Sequence, residues 1–258
     1  MLNNMDKIFL TVVFPCYNEE ANLRRGVLKE VLDFLKVKDF SWEVIISDDG
    51  SSDKSRTIVE EGIKSWDSFR LLKNPHGGKP AALLSGIKKA RGKYILFTDM
   101  DQSTPIGELN KLLPYLNKGY KVVIGSRGLV RKNFPLYRRL GAIVFSTFRR
   151  ALILPEISDT QCGFKLFAAD AVKKAFPKLE FFAKRQKFSG WKVTSFDVEL
   201  LHILKSMGYK IAEVPVSWDD KDISKEKGGG ISRYIRESKE MFGQIMRVKL
   251  KDIRGRYK

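Results

Sequence analysis

Short apolar runs, each ended by a turn, alternate with helical patterns along the first half of the chain. Residues 8–14, IFLTVVF, read as a buried parallel strand that stops at Pro15. A helix is expected from Glu20 to Leu35. A strand at 42–47, WEVIIS, then ends in DDGSSD at 48–53, which mixes turn and helix-capping chemistry. Next come another helix, a short strand near Phe69–Leu72, the loop NPHGGKP at 74–80 and a helix at 81–90. Strands follow at 93–101 (KYILFTDMD) and 122–127 (VVIGSR). Continuous apolar strands alternating with helices predict an α/β fold with a doubly wound, Rossmann-like sheet. Such sheets bind ligands beyond the carboxyl ends of their strands.

The second half is less regular. Residues 134–154 pattern as a helix with Leu140, Ile143, Val144, Phe148 and Ala151 on one face, and Arg138 and Arg149 together on the opposite side. From Ile231 the chain repeats the design, with Tyr234, Ile235, Met241, Phe242 and Ile245 interleaved with Arg233, Arg236, Lys239, Arg247 and Lys249. An apolar stripe bordered by cations describes an interfacial helix, and equally a helix docked on a core with a solvated back. The expected division is a domain over 1–230, including that first amphipathic helix, and a basic amphipathic C-terminal helix over 231–258.

Lysine and arginine total 48 against 30 acidic residues, a formal net charge of +18. That charge favours an anionic partner (nucleic acid, an anionic membrane face or a phosphate-bearing substrate), or is only a solubilising surface. Cys16 and Cys162 have no C-x-x-C spacing, so neither a disulfide framework nor a zinc site is expected. No uncharged apolar run approaches the ~20 residues a spanning helix needs.

The candidate chemistry sits at the strand ends. Asp99-Met100-Asp101 closes an apolar strand, and two carboxylates so placed can serve a nucleotide diphosphate, one toward ribose or water, the other ligating Mg²⁺ or Mn²⁺. A surface turn would explain the same tripeptide. Asp48 and Asp49 form a second acidic pair, suited to a nucleobase or ribose or to capping their own turn. Pro15, Tyr17 and Glu19 follow the first strand beside that pair. Lys79, in a glycine-rich loop that is no P-loop, is within reach of phosphate. Arg127, in GSR, offers a guanidinium that binds two oxygens at once. His76 and His202 show no metal-ligand spacing, and no nucleic-acid motif appears.

These segments, together with SDTQCGFKLF, FDVELLHI and IAEVPVSW, resemble the family 2 glycosyltransferases and, within them, the dolichyl-phosphate glucosyltransferases over roughly residues 10–218. The resemblance implies a GT-A fold, mostly parallel with flanking helices, a divalent cation (Mg²⁺ or Mn²⁺) and an inverting reaction. It implies transfer of glucose from UDP-glucose to a polyprenyl phosphate at the cytoplasmic face of a membrane, without a nucleic-acid partner. The alternatives are GDP-mannose as donor, or a non-lipid acceptor. By position, Pro15, Tyr17, Glu19, Asp48, Asp49, Lys79, Asp99, Met100 and Asp101 would bind the nucleotide sugar. Asp99, Asp101 and Ser103 would hold the metal, although in related mannose synthases a glutamine stands where this chain has Ser103, and Gln102 comes one residue early. Arg127, Arg138, Arg139, Ser232 and Arg233 would meet the acceptor phosphate. Asp159 would stand near the reacting centre with Arg127, as a base or as an orienting group.

Overall fold

The apolar runs assemble into one 7-stranded sheet flanked by helices on both faces. The computed structural model describes residues 8–128, 136–183, 196–221, 223 and 231–257, apart from the side chains of 136–140, 142, 183 and 231–238. The amino-terminal half contains β1 (Leu10–Cys16), α1 (Glu20–Arg24), α2 (Val27–Leu35), β2 (Trp42–Asp48), α3 (Ser55–Ile63), β3 (Phe69–Lys73), α4 (Lys79–Lys89), β4 (Tyr94–Phe97), α5 (Leu109–Asn117) and β5 (Val122–Ser126). After it come α6 (Leu136–Leu152), β6 (Lys165–Ala168), α7 (Ala169–Ala175), α8 (Glu180–Ala183), α9 (Phe196–Ser206), β7 (Ile211–Pro215) and α10 (Ile231–Ile253).

The strand order is β3-β2-β1-β4-β6-β5-β7. All pairs are parallel except those of β6, which runs antiparallel to both β4 and β5. The reason is where the chain re-enters the sheet. β6 starts with Lys165 opposite Phe97, at the carboxyl end of β4, and finishes with Ala168 opposite Tyr94. The segment DTQCGF therefore lies at the ligand-binding edge, although its strand points away from it. The sequence suggested neither β6 nor β7.

Alternation along β1 feeds two cores. Val13 packs with Ile45, Ile87, Ile95 and Phe97 on one face, while Leu10, Val12 and Phe14 meet Val27, Val31, Leu35 and Leu112 on the other. The single helix expected over 20–35 is two, because Gly26 at φ 88° breaks it in a conformation L side chains rarely adopt. Both cysteines are free and buried. Among the described residues no helix is long and apolar enough to cross a membrane.

Helix α6 corrects the expected wheel. Arg149, placed by its spacing on a polar side, is 1% exposed, whereas Ile143 and Val144 are 47% and 58% exposed. The chain after the helix folds back over that side: the Arg149 guanidinium donates to the carbonyls of Leu154, Ile157 and Ser158 at 3.3, 2.7 and 2.9 Å. Three carbonyl oxygens stand in for water around a charge that is otherwise costly to bury. Burial draws the pKa of Arg149 down to about 10. On its other flank α6 meets α10 through Phe145, Phe148 and Phe242, with ring centroids 5.8 and 5.1 Å apart.

Candidate active site

Strands β1, β2 and β4 end at one edge, with Cys16 opposite Asp48 and Val13 opposite Phe97. The loops leaving them build the site. Asp99 and Asp101 border a cavity of about 130 Å³, shared with Ser103, Arg127, Gln161 and Trp218. Gln102, at φ 50°, turns its amide inward to Thr98 Oγ1 (3.1 Å) and the Asp99 carbonyl (3.0 Å), which fixes the turn carrying both carboxylates. Arg25 ties the same turn to the loop after β7, donating to the carbonyls of Asp101 and Lys221. Asp101 Oδ1 accepts the N–H of Ser103 at 2.8 Å, and Ser103 Oγ accepts the N–H of Lys221 at 3.2 Å.

Opposite stands a fork-to-fork pair. Arg127 Nε and a terminal nitrogen donate to the two oxygens of Asp159 at 2.7 and 2.9 Å, and the Arg127 backbone N–H adds a third bond at 3.0 Å. Glu213 holds the loop from below by accepting the N–H groups of Ser158 and Asp159, each at 2.7 Å. Burial alone would raise the Asp159 carboxyl, but the Arg127 guanidinium and surrounding N–H donors hold it far below the usual carboxylate range. Trp218 lies over the guanidinium, with Arg127 Cζ 5.7 Å from its ring centroid.

A second, narrower recess adjoins Asp99 and is lined by Pro15, Lys79, Lys165 and Asp197. Lys165, fully buried, donates to Asp197 Oδ1 at 2.6 Å and to the Cys162 carbonyl. Lys165 and Asp197 were not among the residues expected from the sequence. The signal was present, as a lysine inside the apolar run FKLFA and an aspartate opening FDVELL, but the 32-residue separation hid the pairing.

Other expected residues lie elsewhere. Asp48 is buried and closes its own loop, accepting the Gly50 N–H at 3.0 Å and Arg56 Nε at 2.5 Å, so it does not face the cavity. Asp49, also buried, accepts the N–H groups of Gly77 and Gly78 at 2.9 and 2.8 Å and lies 2.9 Å from His76 Nδ1. Desolvation lifts its carboxyl above the ordinary value despite those partners. Met100 is 1% exposed and packs into the core beneath the carboxylates. Tyr17 stacks on His76 at 4.6 Å, and Glu19 accepts Asn22 Nδ2 at 2.6 Å; neither borders the cavity. The side chains of Arg138, Arg139, Ser232 and Arg233 lie outside the described residues.

Asp99, Asp101 and the hydroxyl of Ser103 offer hard oxygen donors of the kind Mg²⁺ and Mn²⁺ prefer. Gly163 lets the Asp99 carboxylate pack against its backbone, since an added Cβ would stand 2.0 Å from Asp99 Oδ2. Two carboxylates with room for further oxygens suit a cation that completes its shell with a ligand's phosphates.

The chain is 36% identical over 241 residues to a dolichyl-phosphate β-glucosyltransferase of Dictyostelium discoideum, covering 86% of this chain and 70% of that protein. It is 34% identical over 243 residues to the Saccharomyces cerevisiae protein of the same name, covering 85% and 70%. Among solved structures it resembles Mycobacterium tuberculosis glucosyl-3-phosphoglycerate synthase in complex with Mn²⁺, UDP-glucose and glycerol 3-phosphate. That match has a TM-score of 0.61 at 16% identity and covers 94% of this chain and 80% of that one. The sheet and its flanking helices are those of the GT-A fold. The model of glycosyl transferase family 2 matches residues 11–176, and the chain belongs to that family.

Proposed function

We propose that this protein transfers glucose from UDP-glucose to a polyprenyl phosphate of the dolichyl type, with inversion, at a membrane surface. The observation that carries the reading is one cavity with an acidic wall, Asp99 and Asp101, and a cationic wall, Arg127 anchored by Asp159. The similarity to dolichyl-phosphate β-glucosyltransferases supports the donor sugar and the acceptor.

Asp99 and Asp101 would hold a divalent cation, with Ser103 beside them. Bound there, such a cation neutralises charge growing on the departing nucleotide. Arg127, already oriented, directs its remaining N–H groups at the acceptor phosphate, and Trp218 keeps its plane fixed. That phosphate is largely dianionic at neutral pH, with a second pKa of about 6, so it attacks the anomeric carbon without a base. A carboxylate held as far below its ordinary range as Asp159 is a poor proton acceptor. We therefore assign Asp159 to orienting Arg127. Catalysis then rests on alignment and charge complementarity.

Location is read from α6 and α10. Ile143 and Val144 of α6, and Met246, Leu250 and Ile253 of α10, are exposed apolar side chains on two helices that pack together. In this reading they enter the headgroup layer while neighbouring arginines and lysines meet anionic lipids.

The deciding experiment incubates purified protein with Mg²⁺ or Mn²⁺, polyprenyl phosphate and a panel of sugar nucleotides, and measures lipid-extractable sugar. UDP-glucose should give the highest kcat/KM. A preference for GDP-mannose would overturn the donor assignment, and transfer that ignores the lipid phosphate would overturn the acceptor.

A further inference from the structure

One group in the cavity wall takes no part in the steps above. Gln161 sits two residues after Asp159, in the turn that leads into β6, and its backbone N–H donates to Asp159 Oδ1 at 2.9 Å. The residue borders the cavity together with Asp99, Asp101 and Arg127. Among the described residues its Nε2 is shut away from solvent and has no hydrogen-bond partner. A buried amide without an acceptor is destabilising, and native proteins retain such groups where a ligand, ion or water completes them.

The geometry points to Gln161 as the residue that reads a hydroxyl group of the transferred sugar, and so as a determinant of donor specificity. This rests on the transferase reading. The anomeric carbon must lie between the departing diphosphate, on the Asp99 and Asp101 side, and the attacking phosphate, on the Arg127 side. The hexose ring therefore occupies the cavity these walls share. Gln161 lies on that path, with Trp218 and Asp220 also bordering the space. An amide can both donate to and accept from a hydroxyl, and its terminal torsion is broad, so either end can turn to the ring as it enters. An apolar wall would not distinguish epimers, whereas a hydrogen-bonding group rejects a sugar that leaves it unpaired.

The test compares wild type with Gln161→Leu, which keeps the volume and removes both polar atoms. In Gln161→Leu, kcat/KM for UDP-glucose should fall roughly 10- to 100-fold, while affinity for UDP changes less than about twofold. Thermal stability should hold or rise, because an unpaired buried amide has been removed. Among the 2-, 3-, 4- and 6-deoxyglucose forms of the donor, one should lose a similar factor on wild type and lose nothing further in the variant. Calorimetry of UDP-glucose against UDP gives the same comparison without acceptor. An unchanged kcat/KM, an equal loss of UDP affinity or a lowered melting temperature would each overturn the assignment. Wild-type transfer tests the underlying reading separately, since the ratio of variant to wild type is measured with whichever sugar nucleotide the wild type uses.

Discussion

Lys79 Nζ lies 2.6 Å from Asp99 Oδ1, so an ammonium holds the carboxylate that the proposed mechanism gives to a divalent cation. Burial pulls this lysine's pKa down, but Asp99, Asp197 and Asp101 outweigh it and leave the pKa raised. The cation and Lys79 therefore compete, unless a diphosphate arrives to take the ammonium. Lys79→Met should bind Mn²⁺ in the absence of nucleotide roughly three- to tenfold more tightly than wild type, and UDP-glucose more weakly. Titration calorimetry reads both. Mn²⁺ affinity that does not respond to the substitution would remove Lys79 from the site.

Gly163 supplies a steric test of the same carboxylate. Its missing Cβ would fall 2.0 Å from Asp99 Oδ2 and 2.7 Å from Cγ, distances that no side-chain adjustment short of moving Asp99 relieves. Gly163→Ala should reduce kcat about 100-fold, the usual cost of a displacement near 1 Å at a reacting centre. Gly107→Ala, whose Cβ would meet only the Phe34 ring at 3.9 Å, is the matched control and should remain active. Full activity in Gly163→Ala would mean that the position of Asp99 is unimportant.

The pH profile separates two roles for Asp159. Its folded pKa is depressed, so its contribution to stability is complete above its unfolded value, about 3.9. That contribution is lost only as pH falls through the lower folded value. No step between pH 5 and 8 belongs to it. The rate should rise through about pH 6, following the acceptor phosphate, and then level off. Asp159→Asn should lower the whole curve without changing its shape. A limb present in wild type and missing in Asp159→Asn would identify Asp159 as the base.

A buried hydrogen bond helps fasten the carboxy-terminal tail, beside the Lys251–Glu180 ion pair and the ring contact of Tyr257 with His202. Tyr257 Oη donates to Glu199 Oε1 at 2.7 Å in a buried setting, and burial together with that carboxylate holds the phenol well above its ordinary pKa. Tyr257→Phe should lower unfolding stability by about 1–3 kcal/mol, measured by urea titration. A change within error would show that the tail does not depend on this bond.

How much of this was legible in the sequence depends on range. Continuous apolar runs announced β1, β2, β4 and β5, because burial on both faces imposes that composition, while β3, a partly buried edge strand, showed only as a short run. β6 opens on a lysine and runs straight into α7, and β7 mixes polar with apolar positions, so neither run stood out. Asp48 and Asp49 lie at a strand end, and the Gly50 N–H on Asp48 is the cap of their own turn that the sequence allowed, yet nothing local shows that Arg56, Gly77 and Gly78 also claim these carboxylates. A helical wheel sees only its own helix. It set Arg149 on a polar side because it could not register the carbonyls of 154, 157 and 158 closing over it.

The outward face of α10 makes the membrane reading testable. Met246, Leu250 and Ile253 follow a four-three spacing and form one exposed stripe, while Ile245 and Val248 face the core. By helical angle Lys249 falls on one flank of the stripe, and Arg247 and Arg254 on the other. Long basic side chains placed this way can reach lipid phosphates while the stripe enters the acyl boundary. Wild type should therefore float with liposomes containing anionic lipid at low salt, and less at 1 M salt, where the Debye length is about 3 Å. The double variant Leu250→Glu, Ile253→Glu should stay in the soluble fraction yet keep its activity on a short-chain, water-soluble acceptor phosphate. Val37→Glu changes an equally exposed apolar residue just beyond the end of α2, outside these helices, and should float like wild type. Flotation of the double variant at wild-type levels would mean that this stripe is not what meets the bilayer.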